Sequence, residues 1–453
     1  MTAYRELSFW HDSLDDDDLV ARASLPGDAE VDVAIVGAGL TGLWTAWYLL
    51  DRDPGLRITI LEKEIAGFGA SGRNGGWCSA LFPRSTASLE RTHGREAALA
   101  MRRAMIDTID EVGEVTERAG IACDFRRGGT VAFARSAVQL DAARAEVDEA
   151  RAFGVDQLEL WGPSRVRAAG ALGASYDPAC ARLHPAKLVR GLARAVESRG
   201  AQLAEHTEVL EIAPGRVTTA HGTVRAERVV QATEGYGAGL ASTHRRILPL
   251  YSLMVATEPL AADVWEEIGL AHGQTFSDYR HLLIYGQRTA DDRIAFGGRG
   301  ARYHFGSAIR PDYDRVPHVF EHLRRALVDL FPVLEGTRIT HRWGGPLGVP
   351  RDWHARVNFS PATGLASAGG YVGDGLSTTN LAGRTLADLL TGHASELTRL
   401  PWVGHTARDW EPEPWRFLGA NAGLLAMQAA DAEERLTQRR SIIARAMGPL
   451  VGH

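Results

Sequence analysis

Lysine is almost missing from this chain. Lys63 and Lys187 are the only two among 453 residues, and arginine supplies the rest of the basic side chains. Cysteine is scarce as well: Cys78, Cys123 and Cys180 lie far apart and without metal-ligand spacing, which excludes a disulfide framework and a zinc site and fits a reducing cytoplasm. No apolar run approaches the roughly 20 residues that span a bilayer. The opening MTAYRELSFWHDSLDDDD has neither a basic n-region nor an apolar h-region, so neither export nor a membrane anchor is expected. Excess positive charge is also lacking. A net charge of −6 leaves no electrostatic footprint for nucleic acid, and Asp15 to Asp18 read as a solvated acidic loop.

Hydrophobic residues are plentiful, at 45% of the 453, which suits two domains better than one core. The most informative stretch is Val31 to Ala46. There an apolar strand runs straight into Gly37-Ala38-Gly39-Leu40-Thr41-Gly42 and then into a helix. Such a segment cradles a pyrophosphate: Gly37 permits the tight turn, Gly39 lets backbone N–H groups reach the phosphates, and Gly42 lets the helix pack close to the strand. The next strand, Leu56 to Leu61, ends at Glu62, whose carboxylate suits the two ribose hydroxyls of an adenosine. An acid there repels a 2′-phosphate, which disfavours NADP.

A second glycine-rich segment, Ala66 to Gly76, is too long and glycine-dense for an ordinary strand-helix connection, and close approach to a large flat ligand explains it. Helical spacing over Ser88 to Arg118 and Ala137 to Ala152 flanks a strand at Gly129 to Ala134, and these are assigned to a different domain from the opening fold. His184-Pro185 starts a helix that Gly200 ends. Gln202 to Ile212 and the pair around His221-Gly222 read as a small antiparallel sheet, followed by a buried strand at Arg228 to Thr233. Strands then follow at Pro249 to Thr257, His281 to Arg288, Arg293 to Gly298 and Ile339 to Gly345, with a helix near Val316 to Leu330. A last strand, Leu365 to Ala368, enters the loop Gly369 to Gly375, and Ser377 or Thr378 is placed to cap the helix that runs to about Leu390.

Three glycine-rich loops on one interrupted nucleotide-binding domain resemble the D-amino-acid oxidase (DAO) family of FAD-dependent oxidoreductases over nearly the whole chain. The residues that carry the resemblance are VAIVGAGLTGL (Val33 to Leu43), GFGASGRNGG (Gly67 to Gly76), RVVQATEGY (Arg228 to Tyr236) and GGYVGDGLSTTNLAGR (Gly369 to Arg384). Within the family, GASGRNGG and WEPEPWRFLG are most similar to the γ-glutamylputrescine oxidase branch. The resemblance implies an α/β fold in which a discontinuous Rossmann-like FAD-binding domain (1–87, 181–245 and 346–400, the first with an N-terminal arm) joins a second domain. That second domain, antiparallel sheet plus helices (88–180 and 246–345), would hold the substrate, and 401–453 would form a C-terminal tail on the surface or on a partner subunit.

By the same resemblance Gly37, Gly39, Leu40, Thr41 and Gly42 hold the pyrophosphate, and Glu62 with Lys63 lies on the ribose side. Gly69, Ala70, Ser71, Gly72, Arg73, Asn74 and Gly75 meet the pyrophosphate and flavin edge, and Val209 meets the adenine. Gly373, Asp374, Gly375, Leu376 and Ser377 bring a helix N-terminus to the flavin, where it stabilises an anion. Some relatives attach FAD through a cysteine in the second half of the chain. None occurs here after Cys180, so noncovalent FAD is expected. Asp374 stands where many relatives have histidine.

A flavin oxidises a C–N bond by taking a hydride from the carbon beside nitrogen, and water hydrolyses the imine to an aldehyde or keto acid. Since the neutral amine is the donor, no strong base is required. Tyr251, Tyr285, Arg299 and Trp343 are the candidate catalytic or substrate-facing residues, with His281 and His304 considered beside them; Arg299 could clamp a carboxylate or phosphonate or brace an acid. No metal is implied. The expected partners are a small-molecule amine and either oxygen or another electron acceptor, with a homo-oligomer possible. Neither lysine is well placed to assist oxygen, which keeps an amine dehydrogenase open as the alternative. An NAD(P)H-using flavin monooxygenase needs a second mid-chain Gly-x-Gly-x-x-Gly, which is not there. A nonenzymatic flavin binder needs no polar cavity, whereas the strand block supplies aromatic and cationic side chains for one.

Overall fold

The computed structural model describes residues 2–448, so residues 449–453 of the tail lie outside it. The apolar strand Ala29–Val36 pairs in parallel with Ile58–Leu61 on one side and with Gly222–Gln231 on the other. Leu365–Gly369 adds a parallel strand beside Gly222–Gln231, so sequence segments far apart complete one sheet. Arg356–Ser360 closes that edge antiparallel. On the far side Gln202–Ala204 runs parallel to Ile58–Leu61. This corrects its assignment to a small antiparallel sheet; only Val209–Ala213, Arg216–Thr219 and the start of Gly222–Gln231 form that hairpin array.

A second eight-stranded sheet runs in the order Ile339–Val349, Leu248–Thr257, Ile294–Gly298, Ile284–Arg288, Thr275–Asp278, Thr130–Ala134, Gly173–Asp177, Glu159–Trp161. Its pairings are antiparallel except where Thr275–Asp278 meets Thr130–Ala134. One face is covered by the helix Pro317–Leu330, and Phe133, Phe276, Phe296, Leu323 and Phe331 fill the core between them. The strands Gly173–Asp177 and Thr275–Asp278 carry no clear apolar alternation in sequence and show only in the structure.

The long helix Arg95–Arg118 departs from its expected domain. It buries Met101, Met105, Ile109, Val112 and Val115 in the same core as Ile35, Leu43 and Leu386 of the nucleotide-binding sheet and its helices. The apolar stripe of a helix says that it must pack, not on which neighbour.

The N-terminal arm is also more than a leader to the first strand. Phe9, Trp10 and Leu14 are buried with Trp343 and Met254, between the two sheets. Ser8 caps the short helix Phe9–Asp12, which holds this arm in place.

Candidate functional site

The first glycine-rich turn has the close contacts its sequence demands. Gly37 has φ +104° and a Cβ there would stand 2.6 Å from the Ala232 carbonyl oxygen. A Cβ on Gly42 would collide with the carbonyl of Gly37 and the side chain of Ile35. The helix Leu40–Arg52 begins with no side-chain cap, so its leading N–H groups and dipole face outward, which is the arrangement that binds an anion. Among the described residues, the one local partner of these groups is Ser71 Oγ, which accepts from the Leu40 N–H at 2.9 Å.

At the end of the second strand Glu62 accepts from the backbone N–H of Ala38 (2.8 Å) and Glu64 (3.0 Å). Burial pushes its carboxyl up to about 7 despite those donors. The Thr207 N–H donates to the Glu62 carbonyl at 2.7 Å, bringing the chain that leads into Val209 alongside. Lys63, by contrast, is engaged with Glu208 at the exposed surface (2.6 Å), and its ammonium takes no part in the cradle.

The second loop is built from its neighbours. Asn74 donates to the carbonyls of Ala70 (3.1 Å) and Ser71 (3.0 Å) and accepts from Gly76 N–H (2.8 Å), closing the turn after the short helix Ala70–Arg73. Trp10 Nε1 donates to Asn74 O (2.8 Å) and Trp343 Nε1 to Arg73 O (2.9 Å), while the buried His11 ring lies against Gly72. Trp343 is 1% exposed and braces this loop from behind, which corrects its reading as a catalytic residue. Arg73 likewise presents no free guanidinium. It is buried and donates to Asp314 (2.7 Å), Gly344 O (3.0 Å) and Tyr236 Oη (2.8 Å), joining the two sheets.

The third loop is held by a residue that sequence reasoning missed. Glu234, with φ +42°, accepts from the N–H groups of Gly370 (2.9 Å) and Tyr371 (3.3 Å). A Cβ on Gly348 or Gly369 would meet its carboxylate at 2.9 and 2.7 Å. Burial pushes this carboxyl up to about 7. Tyr371 Oη in turn lies 3.0 Å from Thr41 Oγ1, linking this loop to the first. Glu234 lies within the RVVQATEGY segment, but nothing in the sequence marks it as a brace, since an acid after a strand is ordinary and its left-handed backbone appears only in three dimensions.

Asp374, rather than Ser377 or Thr378, is the N-cap position of the helix Gly375–Thr391, and its side chain makes no capping bond. Ser377 and Thr378 lie within the first turn and donate instead to the carbonyls of Ser79 and Asp374. The half-buried Asp374 sits beside Arg299. Burial pushes its carboxyl up to about 6, and the guanidinium opposes that rise. Arg299 donates to Val372 O (2.8 Å) and stands 5.3 Å from the centre of the Trp353 ring.

The second sheet supplies the opposing wall. Tyr285 bonds Ser252 Oγ at 2.8 Å, and a Cβ on Gly75 would come within 2.6 Å of its ring, so the sheet face lies directly on the second loop. Gln287, two residues on and on the same face, donates to Gly75 O at 2.7 Å. Tyr251 is adjacent to Ser252 and therefore points to the other face, where it packs with Leu253, Val255 and Phe296. That corrects its assignment beside Tyr285 and Arg299. His304 stacks on Tyr313 with Tyr251 at its edge, and His281 pairs with Glu434 of the C-terminal helix (3.0 Å), so neither His joins Arg299.

Tyr285, Arg299 and Asp374 are thus brought together with the three glycine-rich loops, and the donors and cleared backbone of those loops fit a dinucleotide with a flat ring system. The comparisons agree. The chain matches the DAO family model, FAD dependent oxidoreductase, over residues 32–389. It is 30% identical over 388 residues to the gamma-glutamylputrescine oxidoreductase of Escherichia coli K12, covering 83% of this chain and 87% of that protein. It is 29% identical over 385 residues to the probable oxidoreductase OrdL of Haemophilus influenzae, covering 81% and 84%. Glycine oxidase from Geobacillus kaustophilus superposes with a TM-score of 0.70 at 22% identity, over 84% of this chain and 100% of that one, and shares the fold. On its motifs, its two-sheet architecture and these matches, the chain belongs to the DAO family of FAD-dependent oxidoreductases.

Proposed function

We propose that this enzyme oxidises the C–N bond of a small amine or amino acid, with FAD held noncovalently in the cradle of the three loops. The observation that carries the reading is the meeting of Tyr285, Arg299 and Asp374 at the second loop and third-loop helix start. When bound, FAD supplies hydride acceptance from the carbon beside nitrogen. The chain supplies the rest. The turn at Gly37, Gly39, Leu40, Thr41 and Gly42 is assigned to the pyrophosphate, Glu62 to the ribose and Val209 to the adenine. The stretch from Gly69 to Gly75, with Ala70, Ser71, Gly72 and Asn74, lines the approach to the ring, and Gly373, Gly375, Leu376 and Ser377 open the helix that points there.

Asp374 is assigned to orienting a cationic substrate and Tyr285 to walling its apolar part. One relative in sequence, named a gamma-glutamylputrescine oxidoreductase, supports an amine as the substrate. Noncovalent attachment is supported by the thiols: Cys78, Cys123 and Cys180 are all buried, and burial pushes those of Cys123 and Cys180 up to about 12. Acid precipitation is expected to leave the yellow colour in the supernatant, and a yellow pellet refutes noncovalent binding.

The direct test is an anaerobic titration of the yellow protein with primary, secondary and acidic amines while following the oxidised-flavin band. Bleaching by one class names the substrate; a spectrum that no amine bleaches defeats the assignment. A dehydrogenase that passes electrons to an acceptor other than oxygen is the second reading. It is supported by the two lysines, each of which is already paired with an acid, Lys63 with Glu208 and Lys187 with Asp124. Slow flavin recovery in air-saturated buffer after reduction is the result it requires.

A further inference from the structure

The helix Trp415–Thr437 lies against the substrate-side sheet with one face, the short helix Ile442–Met447 folds back beside it through hydrogen bonds from Ser441 and Ile442 to Glu433, and among the described residues an apolar stripe on its remaining face stays uncovered. The attached face is tied down at both ends. Asn421 exchanges hydrogen bonds with the backbone of Tyr303 (3.1 Å each way), and Asp431 accepts from the N–H groups of His281 (2.7 Å) and Leu282 (3.0 Å). Those loops flank the strand that carries Tyr285 and the strand Ile294–Gly298 that leads into Arg299.

On the bare face Trp415, Leu418, Leu425 and Leu436 are 67, 53, 64 and 81% exposed. They fall at positions 415, 418, 425 and 436, and the intervening members of the same spacing are Ala422, Ala429 and Ala432. Seven successive positions of a three-four repeat are therefore apolar, and Ala422 and Ala429 are exposed as well. A globular helix buries such a seam; a coiled coil shares it with a second helix.

We infer that this seam pairs with the same helix of a second copy of the chain, antiparallel. The order of side-chain sizes carries the orientation. When the helices run in opposite directions with Ala422 facing the partner's Leu425, Leu418 faces the partner's Ala429 and Trp415 the partner's Ala432. Every one of these layers sets a large side chain against a small one, which is how facing positions fill evenly. A parallel pair sets Trp415 on the partner's Trp415 and each alanine on the same alanine, giving bulges and gaps in alternation. The flanking Gly419, Asn421, Ala426 and Gln428 carry no charge, so nothing repels a close approach along the middle of the seam.

The size is adequate. In this register the two helices overlap from Trp415 to Ala432, about 27 Å at 1.5 Å per residue, and Leu436 lies against the segment that leads into the partner's helix. The paired side chains together with the flanking Gly419, Ala426 and Gln428 offer on the order of 500 Å² per subunit, and about 1,000 Å² buried in total is what a specific interface must clear. The charged end of the helix, Glu433 to Arg435, is then brought near the opposite end of its mate.

Sedimentation velocity of the FAD-loaded full chain tests the inference. At tens of micromolar the expected species has twice the mass of the 49.1 kDa chain, and a monomer across that range overturns it. Leu418→Glu combined with Leu425→Glu is expected to sediment as a monomer that keeps its flavin absorbance; a dimer of undiminished mass in that variant overturns it too. The orientation is read separately. An oxidised mixture of Leu418→Cys and Ala429→Cys proteins is expected to cross-link, while Leu418→Cys alone does not, and a cross-link formed by Leu418→Cys alone overturns the antiparallel register.

Discussion

Three carboxyl groups around the site hold their protons longer than acids in water. Glu62 and Glu234 are pushed up to about 7 and Asp374 to about 6, each chiefly by burial. The folded chain then binds protons that the unfolded chain has already lost, so between about pH 4.5 and 7 stability falls as pH rises. A shift of this size corresponds to about 3 kcal/mol for each glutamate, at 1.36 kcal/mol per unit. Melting curves of flavin-free protein from pH 4 to 8 are expected to show Tm declining through that window, with Glu234→Gln flattening part of the decline. A Tm that climbs across the same range contradicts the assignment. Asp374→Asn removes the carboxylate beside Arg299 and, for a cationic amine, is expected to raise KM about tenfold, the equivalent of roughly 1.4 kcal/mol. An unchanged KM removes Asp374 from substrate binding.

Among the elements, the glycine turns depend on clearance and the loops on bracing. Gly42→Ala drives a Cβ into the backbone of Gly37, with no flexible atom to give way. The expected result is protein purified with little or no flavin, measured as the ratio of flavin to protein absorbance; full loading contradicts the clearance argument. Trp10→Ala removes a buried ring and the donor to Asn74 O. A loss of about 3–5 kcal/mol is expected from comparable truncations, with weaker FAD binding, and urea denaturation together with fluorescence titration reads both.

Legibility at this scale follows from locality. The strand-turn-helix at Val31 to Ala46 and the strands at 248–257, 284–288, 294–298 and 365–369 could be read because each carries its pattern within a few residues. The partner of the helix Arg95–Arg118, the parallel pairing of Gln202–Ala204 and the inward side of Tyr251 could not, since each depends on segments distant in the chain. Of the site, the glycines and Asp374 announce themselves in sequence. Glu234, Tyr236, Asp314 and the N-terminal arm act as braces, and a brace is defined by what it touches.

Across the whole molecule, the two sheets are joined by side chains that reach from one to the other. Arg73 reaches from the second loop to Asp314 and Gly344, Gln287 reaches back to Gly75, and Trp10 and Trp343 fill the space behind. Calorimetry is therefore expected to show one cooperative transition rather than two. FAD at a hundredfold excess over its Kd is expected to stabilise the fold by about 2.7 kcal/mol, visible as a rise in Tm. Two well-separated transitions, or a Tm indifferent to FAD, would show that the braces do not couple the halves.

The position of Arg73 also orders events in the life of the chain. Its partners lie some 240 and 271 residues downstream. During synthesis the first strand-turn-helix emerges early, but the loop that must close around the ring cannot take its shape until the segment from Asp314 to Gly344 has left the ribosome. Cofactor capture is thus a late event, and a half-made chain carries a phosphate-binding turn with no grip on the flavin.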